Sequence, residues 1–165
     1  MHLVLHPKPG FELSLLKHLL ESFPGEGLPS NLQYLKIIKC AVGSRLVGSL
    51  KGALTDSSSL KSLTIGEVDV ECFPDEGLLP LSLTSLSIYH CQNLKTLDYK
   101  ALYQLSSLRS LRLLGCPNLQ RLPKEGLPKS ISYLAIYECS LLKQRCEEGG
   151  EDWEKIAHIQ RRNYF

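Results

Sequence analysis

The sequence predicts an α/β fold built by stacking. Short parallel strands should line the concave face of a curved right-handed superhelix, with irregular or short helical returns on its convex face. Three observations carry this expectation. Leucine supplies 34 of the 165 residues, about double its share in an ordinary globular domain. The chain superposes on itself at intervals of 23 to 28 residues, the mark of a repeat architecture. A second phrase, rich in Pro and Gly, recurs between the similar segments and cannot continue a helix.

Five segments define the repeat: LQYLKIIKC from Leu32, LKSLTIGEV from Leu60, LTSLSIYHC from Leu83, LRSLRLLGC from Leu108 and ISYLAIYEC from Ile131. They share the template L-x-x-L-x-[IL]-x-x-C. Its fourth-position leucines are Leu35, Leu63, Leu86, Leu111 and Leu134. Template and spacing are those of the strand part of a leucine-rich repeat. Apolar and polar residues alternate, so a strand turns the apolar pair inward. One repeat cannot bury that face alone, whereas stacked neighbours make a continuous core and a parallel sheet. Adjacent strands about 4.8 Å apart then bring Cys91, Cys116 and Cys139 onto successive rungs. Such a column reads first as buried neutral thiols where the chain leaves the strand. An inter-rung disulfide or a metal site is the sharper alternative, and no histidine column accompanies it.

The returns carry the second phrase: Phe23-Pro-Gly-Glu-Gly-Leu-Pro29, Phe73-Pro-Asp-Glu-Gly-Leu-Leu-Pro80 and Leu122-Pro-Lys-Glu-Gly-Leu-Pro128. The apolar residue before Pro24, Pro74 and Pro123 should anchor each loop in the core. In the longest interval, Leu46, Val47, Leu50 and Leu54 have the spacing of a short helix, weakened by Gly48 and Gly52. The stretch from Tyr99 to Leu105 predicts a further helical turn or two.

The domain boundaries follow. Residues 1–22 read as a degenerate or truncated repeat, expected to be the least ordered part, because the leucines around Leu13 to Leu20 fall out of register. Residues 23–139 form the array with its five clear strands. Residues 140–165 form a cap and tail: Leu141, Leu142 and Cys146 on a short helix closed by Gly149 and Gly150, then a turn placing Ile156 and Ile159 on one side. Trp153, the single tryptophan, is expected to cover the last rung. Five acidic and five basic residues from Lys143 onward suit a solvated surface.

Composition narrows the function classes. A net charge of +2, from 19 basic against 17 acidic residues, argues against a nucleic-acid protein. No apolar run is long enough to span a membrane. The start Met1-His-Leu-Val-Leu-His-Pro lacks the pattern of a signal peptide. Asn31, Asn93, Asn118 and Asn163 lack a hydroxyl residue two positions on, so none is a glycosylation acceptor. The expected compartment is the cytoplasm or nucleus, where thiols stay reduced.

The outward strand positions are the candidate binding surface, by the usual use of the concave face in repeat arrays. By template these are Tyr34, Lys36, Ile38 and Lys39; Ser62, Thr64 and Glu67; Ser85, Ser87, Tyr89 and His90; Arg112 and Leu114; Tyr133, Ala135, Tyr137 and Glu138. Tyr89, Arg112, Tyr133 and Tyr137 are the foremost contact candidates, since Tyr and Arg are enriched at interface hot spots. The competing reading is that these aromatics pack across neighbouring strands. Catalysis finds no support in the residues. The five histidines are dispersed, and His90 and Cys91, as consecutive strand residues, would face opposite sides of the sheet. No cofactor is expected.

Three features resemble the C-terminal end of plant intracellular immune receptors of the nucleotide-binding leucine-rich-repeat class, the coiled-coil type above all. They are the strand followed by C-x-x-L (Cys91 to Leu94, Cys116 to Leu119), the F-P-x-E-G-L-P return, and the ending from Cys139 through Glu151-Asp-Trp-Glu-Lys-Ile-Ala-His-Ile159. The resemblance implies a truncated chain without the nucleotide-binding domain, since no G-x-x-x-x-G-K-[ST] loop is present. It implies a protein partner: a pathogen effector, a guarded host protein, or the receptor's own nucleotide-binding domain. A leucine-rich-repeat substrate adaptor of a ubiquitin ligase and a non-functional receptor fragment are the alternatives. The adaptor should carry an F-box-like helical segment, and nothing here supplies one.

Overall fold

The computed structural model describes residues 12–13, 31–38, 54 and 58–164. These form a mixed α/β fold with one dominant parallel sheet and few helices. The strands are β1 (Glu12–Leu13), β2 (Tyr34–Ile38), β3 (Ser62–Gly66), β4 (Cys72–Phe73), β5 (Ser85–Tyr89), β6 (Thr96–Leu97), β7 (Ser110–Leu114), β8 (Tyr133–Tyr137) and β9 (Arg161–Tyr164). The main sheet runs β1-β2-β3-β5-β7-β8-β9, and β4 and β6 make a second, two-stranded ladder in the returns.

The register is what the template requires. Leu35, Leu63, Leu86, Leu111 and Leu134 pair across β2 to β8, as do Ile37, Ile65, Ile88, Leu113 and Ile136. Both rows are buried. A one-residue slip of any strand would turn its share of both rows to the outward side. Leu60, Leu83, Leu108 and Ile131, at the head of each template, are buried as well. The return anchors behave as expected: Phe73 and Leu122 lie in the core, and Phe73 pairs with Leu97 in the small ladder. Helix α1 (Tyr99–Gln104) begins at Asp98, whose carboxylate accepts from the Ala101 amide at 2.8 Å, as an N-cap should.

The expected helix around Leu46 to Leu54, the Phe23 loop, Lys39, Cys40 and most of the degenerate first repeat lie outside the described residues. Of that first repeat, Glu12 and Leu13 pair in parallel with Lys36 and Ile37.

The short helix expected over Leu141, Leu142 and Cys146 is present as α2 (Ser140–Cys146), which buries Leu142 and Cys146 and leaves Leu141 exposed. The rest of the C-terminal segment departs from expectation in two places. The charged stretch is not wholly solvated, because Asp152 is completely buried. Its carboxylate accepts from the Leu122 amide at 2.8 Å, from Lys155 Nζ at 2.7 Å and from Arg145 Nε at 3.3 Å. Burial pushes this carboxyl up, but Lys155, the Leu122 amide and Arg145 outweigh it and hold the group below the usual carboxylate range. Asp152 thereby ties the closing segment to the last Pro-Gly return.

The second departure is β9, which falls inside what reads as cap and tail. It pairs in parallel with β8, Leu134 opposite Arg162 and Ile136 opposite Tyr164. Ile159-x-x-Arg162-x-Tyr164 is therefore a sixth copy of the template with its apolar pair replaced by polar groups. Ile159 is buried like the other template heads. Trp153 sits at this last rung, its ring 4.2 Å from the Arg162 guanidinium carbon. The cover is thus a Trp–Arg stack and not an indole alone.

Candidate protein-binding face

The outward side of the main sheet is a grid set by the register. The first strand position contributes Tyr34, Ser62, Ser85, Ser110, Tyr133 and Arg161; the third contributes Lys36, Thr64, Ser87, Arg112, Ala135 and Asn163. The fifth contributes Gly66, Tyr89, Leu114 and Tyr137 from β3 to β8, and the backbone of Ile38 in β2 is in register with Gly66.

A further column follows the strands. Glu67, His90 and Glu138 have φ of 52°, 51° and 51°, and Gly115 has 62°. These residues are not strand positions, as the template reading has them, but the left-handed turn by which each rung leaves the sheet. A left-handed residue swings the next one inward, which is how Val68, Cys91, Cys116 and Cys139 all come to be buried. His90 and Cys91 do face opposite ways, and the cause is this turn, not strand alternation. His90 is exposed and Cys91 fully buried.

Two glycines shape the face. A Cβ at Gly66 would collide with the ring of Tyr89, and one at Gly115 would collide with the imidazole of His90. Tyr89 therefore lies across the neighbouring rung on one side and His90 across the rung on the other. Their rings meet edge-on, 5.5 Å between centroids. Further along, the Arg112 guanidinium lies over the Tyr133 ring at 5.5 Å, and Asn163 donates to the Tyr133 hydroxyl at 3.2 Å. Of the foremost candidates, Arg112 is exposed, while Tyr89, Tyr133 and Tyr137 are half-buried. The face thus joins Arg112 to Tyr133 and Tyr89 to His90, while Tyr137 stands in the same register column as Tyr89, two strands away. Tyr34 is well exposed, and Lys36 and Leu114 are half-buried. Ala135 is buried and offers no contact surface. Arg161 and Asn163 join the face although nothing marked them in advance. The signal was the 28-residue step from Leu134 to Arg162, equal to the step from Leu35 to Leu63.

Behind the face runs the cysteine column. The thiols of Cys91, Cys116 and Cys139 donate to the carbonyls of Tyr89, Leu114 and Tyr137 at 3.5, 3.5 and 3.3 Å. The Cys116 amide donates to the Cys139 sulfur at 3.3 Å. All three are buried and unbridged. The Cys139 and Cys91 thiols on either side of Cys116, and then burial, push its thiol far up. In the closing segment, burial and then the Asp152 carboxylate push the Cys146 thiol up to about 12. Cys116 and Cys146 are therefore protonated packing groups. Among the described residues no set of three or more His, Cys, Asp or Glu is arranged to hold a metal ion. None of the described helices is long and apolar enough to cross a membrane.

The chain is 38% identical over 135 residues to a protein of Arabidopsis thaliana named for disease resistance. The match covers 81% of this chain but only 9% of that much longer protein. No family model matches the sequence, and no solved structure matches the chain.

Proposed function

We propose that the chain is a leucine-rich-repeat solenoid from the C-terminal part of a plant intracellular disease-resistance receptor, and that it acts as a protein-binding scaffold in defense. One observation carries the reading: a template of the leucine-rich type, repeated in sequence and matched rung by rung in a parallel sheet. The similarity to a plant protein named for disease resistance supports the setting. The role is binding without catalysis or cofactor, in the cytoplasm or nucleus. The concave surface contacts an effector, a guarded host protein, or the receptor's own nucleotide-binding domain.

The face suits this work. Its Tyr and Arg residues combine apolar area with directed hydrogen bonding, and the rungs beneath hold them on a rigid backbone. Tyr89, Arg112 and Tyr137 changed together to Ala, with folding verified by circular dichroism, should lose proteins that the wild-type chain captures from infected plant tissue. Retention of every captured protein would remove the concave face from the proposal.

A further inference from the structure

Charge is unevenly placed across the outward face, and the unevenness has a direction. From β3 to β9, consider the residue just before each strand together with the first and third strand positions. These are Lys61, Ser62 and Thr64; Thr84, Ser85 and Ser87; Arg109, Ser110 and Arg112; Ser132, Tyr133 and Ala135; Gln160, Arg161 and Asn163. Four are basic and none is acidic. Arg112 and Arg161 stand at outward grid positions, while Lys61 and Arg109 precede their strands, Arg109 donating to the Ser106, Leu108 and Ser130 carbonyls. At the opposite end of the same strands, the left-handed column carries Glu67 and Glu138. The face is basic where strands begin and acidic where they end.

The basic side has a focus. Arg112 and Arg161 lie on β7 and β9, on either side of Tyr133 on β8, two strands and two residues apart in the register, so their backbones stand about 12 Å apart. Both are exposed, and neither is ion-paired among the described residues. The Tyr133 ring supports the Arg112 guanidinium, and Asn163 holds the Tyr133 hydroxyl. Ser110, the register partner of Tyr133, has a hydroxyl with no hydrogen-bond partner in the described structure. Two unneutralised guanidiniums, one of them stacked on a ring, match carboxylates in the bidentate geometry that Arg favours.

We infer that this corner of the face binds an extended acidic polypeptide segment, with two carboxylates about one strand spacing or two apart, engaged by Arg112 and Arg161 across Tyr133. The inference rests on the face being a protein-binding surface, as proposed above. A nucleic acid is the poorer fit, because a continuous polyanion crossing the face would also meet Glu67 and Glu138, whereas a short acidic segment lying along the strand starts avoids them.

The full chain is titrated into a fluorescein-labelled peptide of alternating Glu and Ser with a central Tyr, and binding is read by anisotropy. The same peptide with Gln for Glu, and a single-stranded oligouridylate, serve as comparisons. At low salt the Glu peptide should bind about five- to tenfold more tightly than the Gln peptide, the range for two exposed charge pairs. That advantage should vanish in Arg112→Glu/Arg161→Glu and shrink at about 0.5 M NaCl. Glu138→Lys should leave it intact or raise it. Equal binding of the Glu and Gln peptides, an unchanged advantage in the double variant, or tighter binding of the oligouridylate would each overturn the inference. If the double variant loses its thermal transition, Arg112→Gln/Arg161→Gln gives the same reading with less charge change. Loss of captured proteins in the Tyr89, Arg112 and Tyr137 triple variant, alongside equal Glu and Gln binding, would sink the acidic partner alone and leave the face standing.

Discussion

The middle of the sheet and its C-terminal end solve one problem with different chemistry. Rungs β5, β7 and β8 are nearly interchangeable: a Leu and an Ile or Leu inward, a left-handed residue, then a buried Cys. Each has a strand on both sides, and β7 lies between two rungs like itself. The end rung β9 has a neighbour on one side only, and its inward positions carry Arg162 and Tyr164. Both are half-buried, with the Arg162 Nη1 and the Tyr164 hydroxyl lacking partners within the described structure. What replaces a further rung is the Trp153–Arg162 stack and the Asp152 cluster. An interior rung is held by area removed from water on both faces. A terminal rung half-faces water, so groups with an apolar body and a polar tip suit it better than leucine.

Three substitutions test this contrast. The largest loss is expected in the middle. Leu111→Ala empties a fully buried site between two full rungs and should cost about 3–5 kcal/mol in urea unfolding. A loss below about 1 kcal/mol would mean that the rungs do not pack as a shared core.

At the end, Asp152→Asn should cost less, about 2–3 kcal/mol, because Lys155 and Arg145 retain some contact with water. Its pH dependence carries the sharper signature. The Asp152 carboxyl is held below its unfolded value of about 3.9. Its contribution is therefore complete above that pH and is lost as pH falls through the lower folded value. Acid unfolding of the Asn variant should be shallower below about pH 4 than that of the wild type. Parallel curves would show that the cluster does not titrate with folding.

The smallest effect is expected from restoring the template. Arg162→Leu removes the stack on Trp153 and a buried donor without a partner, and adds apolar contact. The two should offset to within about 1 kcal/mol. A loss greater than about 2 kcal/mol would show that the guanidinium contributes more than its stack.

Strand positions, their register and the buried rows were legible because period-two alternation and the repeat interval constrain them directly. The anchors Phe73 and Leu122 and helix α1 were legible for the same kind of reason, each being a local pattern of apolar and turn residues. Strand β9 was not, because its template had lost both leucines and only the interval survived. Asp152 reads in sequence as one charge among ten. It becomes a buried tie only when the closing turn brings it to the Leu122 amide, 30 residues away. The binding grid was read one column too generously: Glu67, His90 and Glu138 continue the alternation on paper but stand on a left-handed turn beyond it.

The sequence by itself determined that the chain is a stack of strands with leucines inside, since a periodic apolar pattern has one arrangement that buries all of it. Tertiary structure alone decided how the stack ends and how its outward face is used. Those depend on pairs of residues some 20 to 30 positions apart, such as Arg112 with Tyr133 and Leu122 with Asp152. Such pairs leave no local periodicity to read. Their geometry exists only once the rungs are side by side.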